Sequence, residues 1–325
     1  MHMRCLVTGG AGFIGSNVVQ RLLECGHEVT VLDNCSTGYA DNLKPYPEIE
    51  FMRGNIRDEA IMDRAAFGKD VIFHLAASVG NKRSIDEPLY DASHNVLGTI
   101  NVLEAMRKCG VGNIVYSSSA GIFGEPQYQP MDEAHPCEPD SPYGATKLCG
   151  EKLVLSYMKL YGIKAACLRY FNVYGENQRF DAYGNVIPIF AARIARKESL
   201  TIFGDGEQTR DFINVADVAA ANVAAAENPE ARGTFNIGTG TEITINQLVE
   251  ILREVSRENF EVVYAPPRPG DVRHCTADAT RLREVLGVWP STNILENLGA
   301  YYSWMISDPI SVEKVLSTRS TQAEA

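Results

Sequence analysis

A glycine-rich turn between a strand and a helix, close to the start of the chain, is the feature that most constrains the fold. Residues 5–8 are apolar and predict a short strand, and residues 16–25 repeat apolar side chains at helical spacing. Gly9, Gly12 and Gly15 lie between them, in a spacing that is typical of dinucleotide-binding turns. The first glycine allows a tight turn, the second lets the backbone approach a pyrophosphate, and the third lets helix and strand pack closely. The sequence therefore predicts a dinucleotide site at this turn.

The end of the next predicted strand indicates which dinucleotide is bound. Residues 27–32 lead into Asp33, which follows the turn by about 20 residues, where dinucleotide-binding folds place an acidic side chain. A carboxylate there accepts hydrogen bonds from the adenosine ribose hydroxyls and repels a 2′-phosphate. The pattern therefore favours NAD over NADP as the cofactor.

Strand and helix patterns alternate through the first half of the chain. Predicted strands at residues 51–54 and 70–75 precede an amphipathic helix at 95–108, and a further strand ends at Ser117. Repeated strand–helix units indicate a parallel sheet covered on both faces. The predicted fold class is α/β, with a Rossmann-type doubly wound parallel sheet and a smaller α/β substrate-binding lobe. Ligands of such sheets bind at the carboxyl ends of the strands.

The second half of the chain is less regular, which indicates a smaller lobe interleaved with the last strands of the sheet. We predict an NAD-binding domain at residues 1–173 and 211–240, and a substrate-binding lobe at residues 174–210 and 241–308. Residues 309–325 carry no core signal and are predicted to be a disordered tail.

A tyrosine and a lysine four residues apart are the strongest candidates for chemistry. Tyr143 and Lys147 lie in a predicted helix at residues 141–161, so both side chains project from one helix face. Ser119 follows the strand that ends at Ser117 and can deliver a hydroxyl from the strand end. A phenol beside an ammonium group is suited to proton transfer, because the positive charge favours the phenolate and lowers the pKa of the tyrosine from about 10.

The composition narrows the class of protein. A net charge of -11 argues against a nucleic-acid-binding surface, and no apolar run approaches the roughly 20 residues that span a bilayer. The chain opens without a signal-peptide pattern. Its eight cysteines are scattered, without a C-x-x-C pair. These features predict a cytoplasmic protein with reduced thiols and no metal site.

Together, the motifs resemble the extended short-chain dehydrogenase/reductase family, and within it the UDP-hexose 4-epimerases that act on UDP-glucose or UDP-N-acetylglucosamine. The segments that carry the resemblance are residues 8–15, 33–34, 74–77, 117–119, 143–147 and 169–172. The resemblance implies a UDP-sugar substrate and a tightly held NAD. It also implies a homodimer formed through a four-helix bundle of the helices at 95–108 and 143–161.

The implied reaction inverts C4 of the sugar through a transient 4-keto intermediate. Tyr143 is expected to take the proton of the 4-hydroxyl, Ser119 to relay it, and Lys147 to hold the nicotinamide ribose. The positions that the resemblance assigns to the cofactor are Gly9, Gly12, Phe13, Ile14, Gly15, Asp33, Asn34, Ser36, Gly38, Asn55, Ile56, Leu75, Ala76, Ala77, Asn95, Tyr143, Lys147 and Tyr170. The positions that it assigns to the substrate are Ser119, Asn172, Asn185, Arg210, Arg268, Asp271 and Cys275.

Substrate preference and the exact reaction leave alternatives open. A small residue at Cys275, where the family can carry tyrosine, leaves room for an acetamido group and favours UDP-GlcNAc and UDP-GalNAc alongside UDP-Glc and UDP-Gal. Arg179 matches an arginine that some UDP-glucuronate 4-epimerases use, although Asn172 weighs against that alternative. An NAD-dependent nucleotide-sugar dehydratase would place acidic side chains at the positions of Ala120 and Gly121, which cannot transfer a proton. A sugar reductase and a non-catalytic dinucleotide sensor are the remaining alternatives.

Two positions depart from the family pattern. Phe123 stands where a tyrosine is usual and therefore lacks its phenol, and Asn55 stands where an aspartate is usual beside the adenine. An amide oxygen can still accept a hydrogen bond from the adenine amino group. Lys82 and Arg83 could supply positive charge for a carboxylated sugar, but a solvated loop is the simpler interpretation.

Overall fold

The computed structural model describes residues 2–178, 185–267, 272–308 and 311–312. The strands in this part of the chain are β1 Arg4–Thr8, β2 Glu28–Asp33, β3 Glu50–Arg53, β4 Val71–His74, β5 Asn113–Ser119, β6 Lys164–Tyr170, β7 Asn172–Tyr174, β8 Leu200–Phe203, β9 Thr209–Arg210, β10 Phe212–Asn214, β11 Gly233–Ile237, β12 Ile243–Thr244 and β13 Val262–Ala265. The helices are α1 Phe13–Glu24, α2 Glu59–Ala66, α3 Asn81–Asp86, α4 Pro88–Ala92, α5 Thr99–Cys109, α6 Pro142–Tyr161, α7 Val186–Ala195, α8 Val215–Glu227, α9 Ile245–Ser256, α10 Thr280–Glu284 and α11 Ile294–Ser307.

A seven-stranded parallel sheet forms the centre of the molecule. Its strand order is β11-β6-β5-β4-β1-β2-β3, so the direction in which strands are added reverses between β1 and β4. All four residues of β4 are buried, as expected for a strand that has helices on both faces. The predicted α/β fold class with a doubly wound parallel sheet is confirmed. Crevices at such a reversal point are where these sheets bind ligands.

Two hydrophobic layers cover the sheet. One layer packs α1 and α8 against one face, and the other packs α2, α5 and α6 against the opposite face. The last strand, β11, pairs with β6 in parallel, from Gly233 opposite Ala166 to Ile237 opposite Tyr170. The chain therefore leaves the sheet after β6 and returns to it only after β7–β10 and α8.

A second hydrophobic core lies outside the sheet, in the smaller lobe. It is built from apolar residues of α7, α9 and α11 and from the buried residues of β8, whose partner strand is β13. Helix α11 is capped at its start by the side chain of Asn293. Tyr301 and Met305 of α11 are buried in this core, so the helix is held by tertiary packing.

The region after β4 differs most from the sequence-based expectation. The loop between β4 and the predicted helix at 95–108 contains the short helices α3 and α4. The predicted helix itself begins as a π-helical turn at Ser93–Gly98 and becomes α-helical only at Thr99. Within the described ranges, no helix combines the length and apolar character needed to cross a membrane.

Candidate active site

A cavity of about 1370 Å³ opens at the carboxyl ends of the central strands. Its walls include the glycine turn after β1, the end of β2, the segment after β4 and the serines that end β5. Residues of α7, β8 and β9 from the smaller lobe close the other side. Pockets for one small ligand measure about 300–1,000 Å³, so this cavity has room for a cofactor and a substrate together.

The glycine turn has the geometry that an approaching pyrophosphate requires. Gly9 has a φ of 74°, and a Cβ added there would lie 2.6 Å from the backbone nitrogen of Ala76. A Cβ at Gly15 would clash with the carbonyl of Gly9, so this glycine is needed for α1 to pack against the turn. No side chain caps the start of α1, where Gly12 is the N-cap residue. The first amide groups of the helix therefore face the cavity and favour an anion.

Asp33 is held in place at the end of β2. The backbone N–H groups of Ala11 and Cys35 donate to its two carboxylate oxygens at 2.9 and 2.7 Å. Burial raises the pKa of this carboxyl group, whereas these two hydrogen bonds lower it. Each oxygen retains a lone pair, so the carboxylate can also accept hydrogen bonds from ribose hydroxyls.

Helix α6 brings Tyr143 next to the end of β5. The hydroxyl of Ser141 caps the helix by accepting a hydrogen bond from the N–H of Gly144 at 3.1 Å. A Cβ at Gly144 would clash with the carbonyl of Gly121, so only glycine allows the helix to lie this close. A Cβ at Gly121 would stand 3.3 Å from Oγ of Ser119 and 3.7 Å from Cε1 of Tyr143. The serine hydroxyl and the tyrosine ring therefore face the same small space.

The ionisation of Tyr143 differs from the sequence-based expectation. Burial raises the pKa of Tyr143 to about 12, and a hydrogen bond with Ser119 opposes this increase. The expectation that the pKa of Tyr143 lies below 10 is therefore wrong for the protein alone, because desolvation of the phenolate and the carboxylate of Asp91 outweigh the hydrogen bond with Ser119. A lower pKa requires a further positive charge or hydrogen-bond donor in the cavity.

Lys147 is buried one helical turn after Tyr143. Its ammonium lies 4.7 Å from the centre of the Tyr116 ring, and the hydroxyl of Tyr116 donates to the carbonyl of Lys147 at 3.3 Å. Burial lowers the pKa of Lys147 to about 8, and the carboxylate of Asp91 makes the largest opposing contribution. The ammonium is therefore charged at neutral pH.

The predicted substrate residues of the smaller lobe lie on connected backbone segments. Arg210 donates through one nitrogen to two backbone carbonyls at 2.7 Å, which orients its guanidinium. The side-chain amide of Asn172 donates to the carbonyl of Asp211, and the N–H of Asp211 donates to the carbonyl of Cys275 at 3.0 Å. Burial raises the pKa of the Cys275 thiol to about 12, so this side chain is neutral.

Most of the predicted site residues lie together on the cavity wall. Those that line it are Gly9, Gly12, Phe13, Ile14, Gly15, Asp33, Asn34, Ser36, Gly38, Asn55, Ile56, Leu75, Ala76, Ala77, Ser119, Tyr143, Lys147, Tyr170, Asn172, Asn185, Arg210 and Cys275. The hydroxyl of Tyr170 already donates to Asn222 at 2.9 Å. Arg268, Asp271 and Arg179 lie outside the described residues.

Asn95 was predicted to bind the cofactor but lies behind the cavity wall. Its side-chain oxygen accepts a hydrogen bond from the N–H of Ser78 at 2.8 Å, and its amide nitrogen donates to Ser78, Asp91 and Thr146. With its amide occupied in this way, Asn95 positions the segment after β4. Its role in cofactor binding remains a prediction.

The departures from the family pattern have local explanations. Phe123 is buried, and its ring lies 6.3 Å from that of Phe171 and 5.1 Å from the guanidinium carbon of Arg169. The hydroxyl of a tyrosine at this position would therefore be buried away from water. The side-chain oxygen of Asn55 accepts hydrogen bonds from the N–H of Arg57 at 3.0 Å and from Nε of Arg57 at 3.4 Å. An adenine amino group would therefore have to compete with the weaker of these two bonds.

Lys82 and Arg83 line the cavity, but each lies near an acid on the same stretch of chain. The ammonium of Lys82 is 3.8 Å from the carboxylate of Asp86, and Nε of Arg83 is 3.8 Å from the carboxylate of Glu87. The acidic partners offset the positive charges of Lys82 and Arg83, so these two side chains offer little net charge for the carboxylate of a sugar.

Two buried carboxylates near Lys147 were not identified from the sequence. Glu151 lies four residues after Lys147 on the same helix face, so helical spacing alone could have indicated it. Asp91 lies four residues before Asn95, but the short helix that buries it carried no clear periodic signal. Both are fully buried.

Comparison with known proteins supports the arrangement described above. The sequence profile of the NAD dependent epimerase/dehydratase family matches residues 5–238. The UDP-glucose 4-epimerase of Mycolicibacterium smegmatis is 40% identical over 301 residues, which cover 91% of this chain and 96% of that protein.

Solved structures extend the likeness to the whole fold. The UDP-glucose 4-epimerase of Thermotoga maritima with UDP-glucose has a TM-score of 0.89 and 40% identity, covering 94% of this chain and 98% of that one. The UDP-N-acetylglucosamine 4-epimerase of Methanobrevibacter ruminantium M1, in complex with UDP-N-acetylmuramic acid, has a TM-score of 0.90 and 35% identity, covering 94% and 99%.

Proposed function

Since the chain belongs to the NAD dependent epimerase/dehydratase family, we propose that it is a nucleotide-sugar 4-epimerase that acts on UDP-sugars. The observation that carries this proposal is the convergence of Ser119, Tyr143 and Lys147 at one cavity with the glycine turn. The enzyme inverts C4 through a transient 4-keto sugar. Because the sugar is neither oxidised nor reduced overall, the protein needs no exchange of cofactor between turnovers.

The residues present fit NAD. The uncapped start of α1 and the fixed carboxylate of Asp33 match a pyrophosphate followed by a ribose with free hydroxyls. Lys147 would hold the nicotinamide ribose. When bound, NAD supplies the hydride acceptor and donor for the reaction, together with a positive charge on its ring.

The chain itself provides the proton transfer. Tyr143 removes the proton from the 4-hydroxyl and returns it, and Ser119 bridges the phenol and the sugar oxygen. Lys147 supports the phenolate electrostatically from one turn below. Arg210 and Arg268 are assigned to the diphosphate, because a guanidinium fork fits phosphate oxygens. Asp271 is assigned to the uridine ribose.

The remaining substrate residues are assigned by the resemblance to the family and by their position on the cavity wall. Asn172 and Asn185 are proposed to contact the sugar and the diphosphate, and Cys275 to border the acetamido group. In domain terms, residues 1–173 and 211–240 hold NAD, and residues 174–210 and 241–308 hold the UDP-sugar. A preference for UDP-glucuronate is the alternative within the same reaction.

A panel of UDP-sugars tests the function directly. The purified protein is incubated with UDP-Glc, UDP-Gal, UDP-GlcNAc, UDP-GalNAc and UDP-glucuronate, and the products are read by proton NMR. We expect 4-epimers of the neutral sugars to form without added cofactor, and acid to release NAD from the protein. Formation of a dehydrated or net reduced sugar, or failure to convert any member of the panel, would contradict the proposal.

Enlarging the side chain at Cys275 is expected to separate the two neutral substrate classes. Tyrosine there would fill the space for the acetamido group, so kcat/KM for UDP-GlcNAc should fall about tenfold or more in Cys275→Tyr, while that for UDP-Glc changes by less than about twofold. Cys275→Ser keeps the size of the side chain and serves as the control. Equal losses for both sugars in Cys275→Tyr would count against this role.

The homodimer is proposed to form through the outer faces of α5 and α6. Three large apolar side chains lie there or close by and are well exposed, namely Leu97 at 61%, Leu160 at 72% and Tyr161 at 51%. Burying such a patch in a four-helix bundle would remove it from water. Leu160→Asp is expected to yield a monomer in analytical ultracentrifugation. Trp289→Asp, which changes an exposed side chain next to α10, should leave the oligomeric state unchanged.

A further inference from the structure

Asp91 is a buried carboxylate beside the active site that the reaction described above does not use. It lies on α4 and has no exposed surface. One carboxylate oxygen, Oδ2, accepts hydrogen bonds from Thr146 at 2.5 Å and from Asn95 at 3.2 Å. The other oxygen, Oδ1, has no hydrogen-bond partner among the residues that the structure describes. Burial of a carboxylate costs several kcal/mol unless its charge is compensated, so this side chain requires an explanation.

A second buried carboxylate, that of Glu151, has the cationic partner that Asp91 lacks among the described residues. Glu151 accepts two hydrogen bonds from the guanidinium of Arg169, at 3.0 and 2.8 Å, so its charge is compensated by direct contact. For Asp91, no lysine, arginine or histidine nitrogen lies within 4.0 Å among the residues that the structure describes. The negative charge of Asp91 is therefore not neutralised by a contacting group.

Lys147 is a buried positive charge that, like the negative charge of Asp91, has no oppositely charged group in contact with it among the described residues. Its ammonium is buried and, within the described ranges, has no carboxylate oxygen within 4.0 Å. Thr146, the residue before it, donates its hydroxyl to Asp91 and lies 3.1 Å from the carbonyl of Tyr143. A hydrogen-bonded residue thus connects the carboxylate to the turn of α6 that carries the phenol and the ammonium.

The remaining titratable groups near Lys147 do not provide a counter-charge. They are Tyr143 and Glu151 on α6, His74 on β4, Tyr116 on β5 and Cys167 on β6. Burial lowers the pKa of His74 to about 3 and raises those of Tyr116 and Cys167, so these three groups are neutral. Glu151 is already paired with Arg169. Among the described residues near Lys147, this leaves Asp91 as the carboxylate whose charge balances that of the ammonium.

We propose that Asp91 is the counter-ion of Lys147 and a positioning residue for proton transfer, which keeps the ammonium charged and, through Thr146, holds its helical turn in place. The proposal rests on the function given above but concerns a residue that touches neither substrate nor cofactor. In a low-dielectric interior, opposite charges attract over distances longer than a salt bridge, so the pair need not be in contact.

The test compares the pH dependence of kcat in the wild type and in Asp91→Asn. Asparagine has the same shape and can accept the hydrogen bond from Thr146, but it carries no charge. Loss of the carboxylate disfavours the ammonium, so the pKa of Lys147 should fall below its wild-type value of about 8. The high-pH limb of the profile should move to lower pH by about one unit. A purely structural role would lower kcat without moving the limb.

Two further variants separate charge from hydrogen bonding. Thr146→Val removes the hydrogen bond and keeps the charge, so its limb should remain at the wild-type pH even if kcat falls. Asp41→Asn removes an exposed negative charge and controls for the change in net charge, so its limb should not move. If Asp91→Asn does not fold, Asp91→Ser is used for the same measurement. If the high-pH limb of the kcat profile does not move in Asp91→Asn or Asp91→Ser, the proposal is overturned.

A second readout does not depend on turnover. The fraction of Lys147 acetylated by trace acetic anhydride, followed by mass spectrometry across pH, reports the pKa of this amine in the purified protein. We expect half-maximal labelling at a lower pH in Asp91→Asn than in the wild type, and an unchanged midpoint would overturn the proposal. If the wild type converts no UDP-sugar, the proposed function fails, whereas the labelling still decides the role of Asp91.

Discussion

Replacing Tyr143 by phenylalanine is expected to slow epimerisation about 10³-fold, because it removes the group that takes the proton of the sugar 4-hydroxyl. Ser119 adjoins the phenol but is too weak a base to act alone. Tyr143 lies at the start of α6, and its ring packs beside Gly121. A phenylalanine ring would fill the same space. The free energy of unfolding and the NAD content should therefore remain close to those of the wild type.

The measurement is initial rates of UDP-sugar conversion, together with the NAD released by acid from the same preparations. Tyr157→Phe makes the same change on the same helix, at a hydroxyl that donates to Glu104 on the outer face of the layer, and should retain nearly full activity. Turnover of Tyr143→Phe within a few-fold of the wild type would refute the assignment of this tyrosine as the proton-transfer group.

Replacing Glu151 by glutamine is expected to reduce the free energy of unfolding by about 3–5 kcal/mol. Glu151 and Arg169 are both buried, and the carboxylate also accepts a hydrogen bond from Ser118 at 2.8 Å. Glutamine keeps the shape of the side chain but removes its charge, so the guanidinium of Arg169 is left buried without a counter-ion. The pair also ties α6 to β5 and β6, which are the elements that carry the active site.

Chemical denaturation of the variants measures this loss. Removal of both charges, in a Glu151→Leu and Arg169→Met double variant, should recover much of the stability, because the cost lies in the uncompensated charge. Glu24→Gln breaks an exposed pair with Arg21 and should cost less than about 1 kcal/mol. If Glu151→Gln loses as little stability as Glu24→Gln, leaving Arg169 buried without a counter-ion does not carry the expected cost.

The sequence was most informative where a local pattern requires one structure. The glycines at 9, 12 and 15 and the aspartate at 33 have roles set by backbone geometry over a few residues, and the structure places all four on the cavity wall. The pair formed by Tyr143 and Lys147 depends only on helical spacing, and it too lies where expected. Local rules of this kind hold whatever the rest of the chain does.

Features that depend on the tertiary environment could not be predicted in the same way. The pKa of Tyr143 rises rather than falls because α6 packs closely on β5 and buries the phenol. The spacing of residues in the sequence does not show how deeply a side chain is buried. Asn95 turns its amide to Ser78 and Asp91 because a π-helical turn and α4 surround it. Helix α11 has weak local signals and is held by the core of the smaller lobe.

The late return of the chain to the sheet has a consequence for synthesis and for fragments. Strand β6 has β11 as its outer neighbour, and β11 ends only at Ile237. Until that strand has left the ribosome, a nascent chain exposes the backbone of β6 as an open edge, which is prone to pairing with other chains. We expect that a fragment ending after β7 aggregates instead of folding into a cofactor-binding module, and that the minimal soluble unit extends past residue 237.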